Sequence, residues 1–473
     1  MTATAFVEAS LTPQALGYIL STEIADIDGD GDGDLIVSNT PGSYGMGDLR
    51  WHRNDDGVFA ESQVLIDVDE VWSIEFADLD GDGDLDILLA TQHTFDNGND
   101  ETDDSIAWYA NDGQGNFSNR IVIDQLENSG GLVAGDIDGD GDVDFIASQR
   151  HSDEIRYYEN LGNGLTFQLH SIASDDSTFL LNNTPRPWEQ SHVLADMDGD
   201  ADLDIVTTTI YGVVWLENLD GAGNFFTLPH DVSPIPAFEA IAIHVADIDQ
   251  DDDLDVVVGS DISVGRASWF ENLGGGQFAD EVIIGLADDQ VETVNAADMD
   301  GDGDIDLIYA DWWANMTWAE NVDNTFTQLH RLPNYSPPEG FPLFPLPRHI
   351  IVSDFDHDGD ADVIYSSYHE RKLAIFENRL VGDVNDDGVF DSADLVQIFQ
   401  AGVYEDDIAM NASFDQGDWN NDGEFDSADL VVAFQAGNYS ANAKSNALVA
   451  QFDPFTLGTF EQDKRAKRPA HLP

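Results

Sequence analysis

The chain has no cysteine. That excludes a disulfide framework, a zinc–thiolate centre and a cysteine nucleophile, but it does not argue for the cytosol, because bacterial extracellular proteins often lack cysteine. Basic residues are scarce: 17 Lys and Arg stand against 94 Asp and Glu, for a formal net charge of −77. Nucleic acid and anionic membrane surfaces are therefore poor partners for the body of this chain. No apolar run is long enough to span a bilayer. The opening residues, Met1-Thr-Ala-Thr-Ala-Phe6, offer neither the basic region nor the apolar core of a secretory leader, so no export signal is visible. Disorder is not what the acid excess signals, since 42% of residues are hydrophobic and 10% aromatic. A length of 473 residues allows a large repeat domain and something smaller.

The carboxylates are ordered. Asp26, Asp28, Asp30, Asp32 and Asp34 take positions 1, 3, 5, 7 and 9 of a nine-residue stretch. The pattern returns as Asp78, Asp80, Asp82, Asp84 and Asp86, then as Asp136, Asp138, Asp140, Asp142 and Asp144. A fourth copy holds Asp196, Asp198, Asp200, Asp202 and Asp204, and a fifth Asp247, Asp249, Asp251, Asp253 and Asp255. The last two are Asp298, Asp300, Asp302, Asp304, Asp306 and Asp354, Asp356, Asp358, Asp360, Asp362. Two carboxylates about 4 Å apart at an effective dielectric near 20 repel by roughly 4 kcal/mol. Such a loop calls for a hard cation, and a flexible, oxygen-only, high-coordination shell suits Ca²⁺ better than Mg²⁺. Position 6 carries the sharp turn. It is Gly in five copies but Ala201 and Asp252 in the fourth and fifth, which should be the weaker sites.

The loops recur every 51 to 60 residues, and short β-like runs fill the intervals. That period points to propeller blades of four strands. In the second unit the strands read as Val71–Ala77, Leu85–Ala90, Ile106–Ala110 and Phe117–Ile123. The third strand ends on Asn54, Asn111, Asn160, Asn218, Asn272, Asn321 or Asn378. An aromatic residue precedes that Asn by three positions in six of the seven units, from Trp51 to Trp318, as packing between blades would require. A Phe opens the fourth strand in most units. The seventh unit lacks a fourth strand, and Phe6–Leu11 has the right spacing to supply it and close the ring.

From Gly382 the pattern changes. Asp383, Asn385, Asp387, Asp391 and Asp394 fall at positions 1, 3, 5, 9 and 12 of an EF-hand-spaced loop, and Asp418, Asn420, Asp422, Asp426 and Asp429 repeat it. Asp stands at position 12 in place of the usual Glu. Each loop runs into the same short amphipathic helix, starting Ser392-Ala-Asp-Leu and Ser427-Ala-Asp-Leu and ending at Gly402 and Gly437.

These motifs carry a resemblance. Ala297-Asp-Met-Asp-Gly-Asp-Gly-Asp-Ile-Asp-Leu-Ile308 resembles the FG-GAP/VCBS repeat family, the seven-bladed calcium-loop propeller also found in integrin α-subunits. Residues 382–440 resemble a dockerin type I domain. The resemblance implies an all-β seven-bladed β-propeller over residues 1–380, with residues 6–11 closing the last blade. It implies a small α-helical, dockerin-like calcium-binding pair over 382–440, with 441–473 as a tail. It also implies about seven Ca²⁺ in the propeller and two in the dockerin-like domain. A cohesin-like partner would be read through Ser392 and Ala393, and equivalently through Ser427 and Ala428.

Residues that break the repeat lie on the loop face opposite the acidic loops: Trp72, His93, Phe95, Arg150, His151 and Trp188, then Tyr211, Trp312, Trp313, Tyr335, Tyr368 and His369. Aromatic platforms of this kind suit a glycan or protein ligand. The expectation is an extracellular or cell-surface binding or adhesion propeller tethered through its C-terminal module. The alternative is a polysaccharide-degrading enzyme, lyase or hydrolase, using His93, Arg150, His151, Tyr211 and His369; a structural surface-layer component is a third reading.

Overall fold

The computed structural model describes residues 4–10, 16–40, 47–68, 70–92, 104–127, 129–149, 154–173, 192–209, 212–225, 229–232, 240–260, 265–287, 289–313, 315–332, 347–358, 360–367, 371–385, 389–406, 408, 411–420, 423–435 and 439–440. Among the described residues, the strands up to Leu380 form seven sheets of four antiparallel strands. The innermost strands are Thr22–Ala25, Glu70–Ala77, Ser129–Gly135, His192–Ala195, Ala240–Ala246, Val291–Ala297 and Pro347–Ser353. They follow one another around a central axis, each packed against the next, and blades 1 to 7 are numbered in that order. In blades 1 to 6 the four strands are consecutive in sequence. In blade 7 the outermost strand is Thr4–Ser10, antiparallel to Lys372–Leu380 from Thr4 opposite Leu380 to Ser10 opposite Ala374.

The second strands read as unbroken apolar runs because they are covered on both sides; Asp34–Asn39, Asp204–Thr209, Asp255–Ser260, Asp306–Asp311 and Asp362–Ser367 are buried throughout. Seven apolar clusters hold the ring, and each straddles two neighbouring blades. Ile36 and Leu49 of blade 1 meet Ile74, Leu89 and Tyr109 of blade 2, for example. Among the described residues no blade has a cluster of its own. The aromatic column lies in these seams: Tyr157 meets Phe225 of the next blade edge-on at 6.1 Å, Trp269 meets Phe326 at 6.0 Å, and Trp318 meets Phe6 at 6.3 Å.

The recurring Phe opens a fourth strand in blades 3 and 6, at Phe167–Ala173 and Phe326–Arg331. In blades 2, 4 and 5, Phe117, Phe225 and Phe278 make only a single bridge to the Asn that ends the third strand. In blade 2 the strand proper is Ile121–Asp124, later than the pattern predicts. The ring is drawn toward the neighbouring blade, and the ladder resumes past it.

Beyond Leu380 the chain forms helix α1, Ser392–Ala401, and helix α2, Ser427–Gln435, around Phe390, Ile398, Trp419, Phe425 and Ala433. Asp391 caps α1 by accepting from the Ala393 N–H, and Gly402 ends it in the left-handed region. Glu405, after α1, donates to the Phe425 carbonyl, and Ser440, after α2, donates to that of Phe390. Each half is thus tied to the loop of the other. Arg379 joins this module to the propeller, with Nη1 2.5 Å from Asp415 Oδ1 and the guanidinium over the Phe414 ring. No described helix is long and apolar enough to cross a membrane.

Candidate metal loops of the blades

Each acidic loop links the innermost strand of a blade to the second. Position 9 is the first residue of that second strand, paired with the last residue of the first, as Asp34 with Ala25 and Asp86 with Ala77. The loop coils because its own carboxylates take up its N–H groups. Asp26 Oδ1 accepts from Gly29 and Asp30, and Oδ2 from Gly31; Asp78, Asp196 and Asp298 repeat the arrangement in whole or in part. Two turns in the left-handed region make this coil. Position 6 has φ of 102° at Gly31 and 96° at Gly83, and Ala201 and Asp252 are held there at 77° and 74°. Position 4 is left-handed as well, including the non-glycine residues Gln250 (61°) and His357 (59°). The sequence pattern drew attention to position 6 alone.

Positions 1, 3 and 9 converge. Oxygens of Asp26, Asp28 and Asp34 lie within 4.8 Å of one another, as do those of Asp78, Asp80 and Asp86, of Asp136, Asp138 and Asp144, and of Asp196, Asp198 and Asp204. In the fifth loop the group is Asp247, Asp249 and Asp251. Four of these loops also bury a carboxylate oxygen without a hydrogen-bond partner: Oδ1 of Asp28, Asp80, Asp136 and Asp249. A buried, unpartnered anionic oxygen is costly. An all-oxygen donor set with such atoms inside it fits a hard divalent cation.

The electrostatics agree. Burial first, then the neighbouring loop carboxylate, pushes Asp28, Asp80, Asp198 and Asp249 above the usual carboxylate range. Burial drives Asp300 up to about 6. Position 9 is raised further, mainly by burial: to about 6 at Asp34, about 7 at Asp86, Asp204, Asp255 and Asp306, and about 9 at Asp362. A divalent cation in the loop would oppose every one of these shifts.

Position 9 has a second occupation. In blade 1, Asp34 Oδ2 accepts from the Ile27 N–H and Oδ1 from the Asn54 N–H at 2.8 Å; the pair recurs in all seven blades, ending with Phe355 and Asn378 on Asp362. The Asn side chain then reaches across the seam. Nδ2 of Asn111 donates to Ile27 O of blade 1, that of Asn218 to Ile137 O of blade 3, and that of Asn378 to Met299 O of blade 6. Asn54 completes the circle on Phe355 O of blade 7. The sequence marks these Asn residues as strand ends; their bridging role is not visible there.

The residue before each Asn was also missed. It is Glu159, Glu217, Glu271, Glu320 and Glu377 in blades 3 to 7, Ala110 in blade 2 and Arg53 in blade 1. Three of these Glu are held by His from the fourth strand: His170 Nε2 to Glu159 at 2.7 Å, His330 to Glu320 at 2.8 Å and His230 to Glu217 at 3.3 Å. Each imidazole stacks on the aromatic column, as His330 does on Trp318 at 4.3 Å. Glu159, Glu217, Glu271 and Glu320 lie close enough to position 3 of their loops to add to its upward shift.

In the C-terminal module Asp394 and Asp429 are fully buried. Asp394 Oδ1 accepts from Val384 and Asn385 and Oδ2 from Asp391; Asp429 does the same with Trp419, Asn420 and Asp426. Both position-12 carboxylates therefore tie the loop start to the helix. Asp387 and Asp422 lie outside the described residues. Ser392, Ala393, Ser427 and Ala428 are exposed.

On the opposite face only three of the predicted ligand residues are described. Trp72 sits at the bulge that opens the innermost strand of blade 2. Trp312 and half-exposed Trp313 follow the second strand of blade 6. Blades 2 and 6 are three steps apart around the ring. His93, Phe95, Arg150, His151, Trp188, Tyr211, Tyr335, Tyr368 and His369 lie outside the described residues.

Seven four-stranded blades, with an acidic cation-suited loop at the same corner of each, define a β-propeller built from tandem repeats. Residues 26–89, 95–147, 136–207, 196–258, 247–309 and 298–365 match the FG-GAP-like repeat, and the chain belongs to that family. No curated protein matches it. Among solved structures, a lectin of Agrocybe aegerita that recognises non-reducing terminal N-acetylglucosamine is 19% identical, with a TM-score of 0.47, over 67% of this chain and 81% of that one. BBS1N in complex with ARL6DN is 12% identical, with a TM-score of 0.50, over 79% of this chain and 97% of that one. The likeness to BBS1N is one of fold.

Proposed function

We propose that this is an extracellular, calcium-stabilised binding propeller. It takes a protein or glycan ligand on the face opposite the acidic loops, and residues 382–440 act as a dockerin-like tether to a cohesin-type partner. Residues 1–380 are the propeller, and 441–473 a tail outside both units. Calcium would be held in the blade loops by positions 1, 3 and 9, and in the fifth by positions 1, 3 and 5. In the tether the ligands would be Asp383, Asn385, Asp387, Asp391 and Asp394, and Asp418, Asn420, Asp422, Asp426 and Asp429.

The observation that carries the tether is a duplicated surface. Ser392, Val396 and Phe399 are spaced to share one face of α1, and Ser427, Val431 and Phe434 share the matching face of α2. The four apolar members are 56%, 48%, 50% and 47% exposed. Two identical stripes with large apolar side chains in water suit a partner that binds through either half.

The test uses the full chain and a panel of purified type I cohesin domains in surface plasmon resonance. Binding should need calcium. Arg at both 392 and 393, or at both 427 and 428, should leave affinity within a few-fold, and the combined change should abolish it. Calcium-independent binding, or loss from either pair alone, overturns the two-faced tether. For the propeller, excess chelator should lower the melting temperature, since ligand at 100 times its dissociation constant adds about 2.7 kcal/mol per site, and Mg²⁺ should restore little. A glycan array, run beside an unsaturated-product assay on uronic-acid polymers, tests the opposite face; product formation would replace binding with lyase chemistry.

A further inference from the structure

The loops are not equivalent, and the difference lies at the residue before the strand-ending Asn. In blades 3 to 6 that residue is a Glu whose carboxylate lies close to position 3 of the loop. In blade 1 it is Arg53, whose Nε lies 2.9 Å from Asp28 Oδ2 and whose Nη2 lies 2.7 Å from Asp30 Oδ2. One guanidinium thus spans positions 3 and 5, matching its planar fork to two carboxylates. Position 7 is also met by a base: His357 Nδ1 of blade 7 is 3.5 Å from Asp32 Oδ1.

We infer that the first blade carries its own cation in Arg53, and that its loop, Asp26–Asp34, takes no calcium under conditions that fill the other blades. A divalent ion entering between positions 1, 3 and 9 would have to displace the guanidinium from two oxygens and then stand beside it, like charge against like. In blades 3 to 6 a Glu at the same sequence position brings a negative charge close to position 3, which favours the ion. The swap changes the local charge by two units at one position of an otherwise constant motif. Blade 1 is accordingly metal-independent, next to the seam where the ring closes.

The inference rests on the calcium reading, and two measurements on the full chain separate the two. Calcium stoichiometry is counted by native mass spectrometry for wild type and for Arg53→Glu, which installs the residue of the other blades. Hydrogen exchange is followed in the peptides covering 26–34 and 298–306, with calcium and with excess chelator. The expected result is one additional calcium in R53E, exchange at 26–34 insensitive to chelator in wild type, and chelator-sensitive exchange there in R53E. Residues 298–306 should respond to chelator in both proteins. Arg53→Met, which removes the charge without adding a ligand, should accelerate exchange at 26–34 in chelator and so guards against a misfolded R53E. Unchanged stoichiometry in R53E, or chelator sensitivity at 26–34 in wild type, overturns the built-in cation. No calcium bound by either protein and no response at 298–306 overturns the calcium reading itself, and this inference with it.

Discussion

A left-handed φ at a residue with a Cβ costs about 1–2 kcal/mol, and the fourth and fifth loops bear that strain at Ala201 and Asp252. Ala201→Gly should stabilise the calcium-loaded propeller by about 1 kcal/mol in thermal melts, the gain being reduced by the greater freedom of Gly when unfolded; a lower melting temperature would contradict the turn assignment. Buried titratable groups set the pH limits. Burial pulls His52 and His192 down to about 4 from an ordinary value of 6.5. The unfolded chain then takes the proton first, so stability present above pH 6.5 is lost as pH falls toward 4. Glu75, on the innermost strand of blade 2, is pushed by burial up to about 8 from 4.5. The folded chain keeps that proton, so stability present below pH 4.5 is lost as pH rises through about 8. Glu75→Gln keeps an acceptor for the Ala134 N–H, 3.4 Å away, and removes the titration. In saturating calcium, the melting temperature of wild type should fall between pH 7 and 9 and that of E75Q should fall less. The slope left in E75Q belongs to Glu23, raised by burial and then by Glu75 itself. Parallel falls in the two proteins would remove Glu75 from this account.

Blades are held by what they exchange with their neighbours, and here the sequence was legible in one respect and mute in another. The acidic loop, the aromatic residue and the Asn recur at fixed register, so blade number, strand order and the place of each acidic loop could be read from the period. What the Asn does could not. For Asn218 of blade 4 the Nδ2 partner, Ile137 O of blade 3, lies 81 residues upstream, and a carbonyl leaves no trace in a residue pattern. Likewise, Phe117 pairs once with Asn111 and then leaves the ladder, because a seam aromatic answers to the adjacent blade. The opposite face stayed illegible because its residues break the repeat, and repetition was the only signal available. Asn218→Ala tests the seam. It removes donors to Ile137 O at 2.9 Å and Leu203 O at 3.3 Å, and leaving a buried carbonyl unpaired costs about 1–3 kcal/mol. Hydrogen exchange should quicken on both sides, in Glu154–Asn160 and in Gly212–Leu216. Quickening confined to blade 4 would mean the Asn serves only its own blade.

At the scale of the whole molecule, a ring of blades is as stable as its closing seam. Blade 7 borrows its outermost strand from the start of the chain: Thr4–Ser10 covers Lys372–Leu380 in an unbroken seven-pair register. Phe6 also packs edge-on against Trp318 of blade 6, so the segment holds blade 7 to its neighbour as well. The far side of blade 7 meets blade 1 through the Asn54 bridge to Phe355 O and the contact of Phe59 with the Phe355 ring at 6.1 Å. Deleting residues 1–11 would expose the edge of Lys372–Leu380, a strand whose far end carries Arg379 and its pairing with Asp415 of the C-terminal module. An unpaired sheet edge seeks another strand, from a second copy if none is supplied within the chain. The shortened protein should therefore melt lower than wild type by more than loss of an exposed terminus explains, and should form dimers or larger species in a concentration-dependent way by light scattering. A synthetic peptide of residues 1–11 added in excess should restore the monomer and part of the melting temperature, because the edge accepts the strand without a covalent link. If the shortened protein stays monomeric with its melting temperature intact, closure of the ring does not depend on this strand, and the apolar cluster shared by blades 1 and 7, with the Asn54 and Phe59 contacts, suffices to hold them.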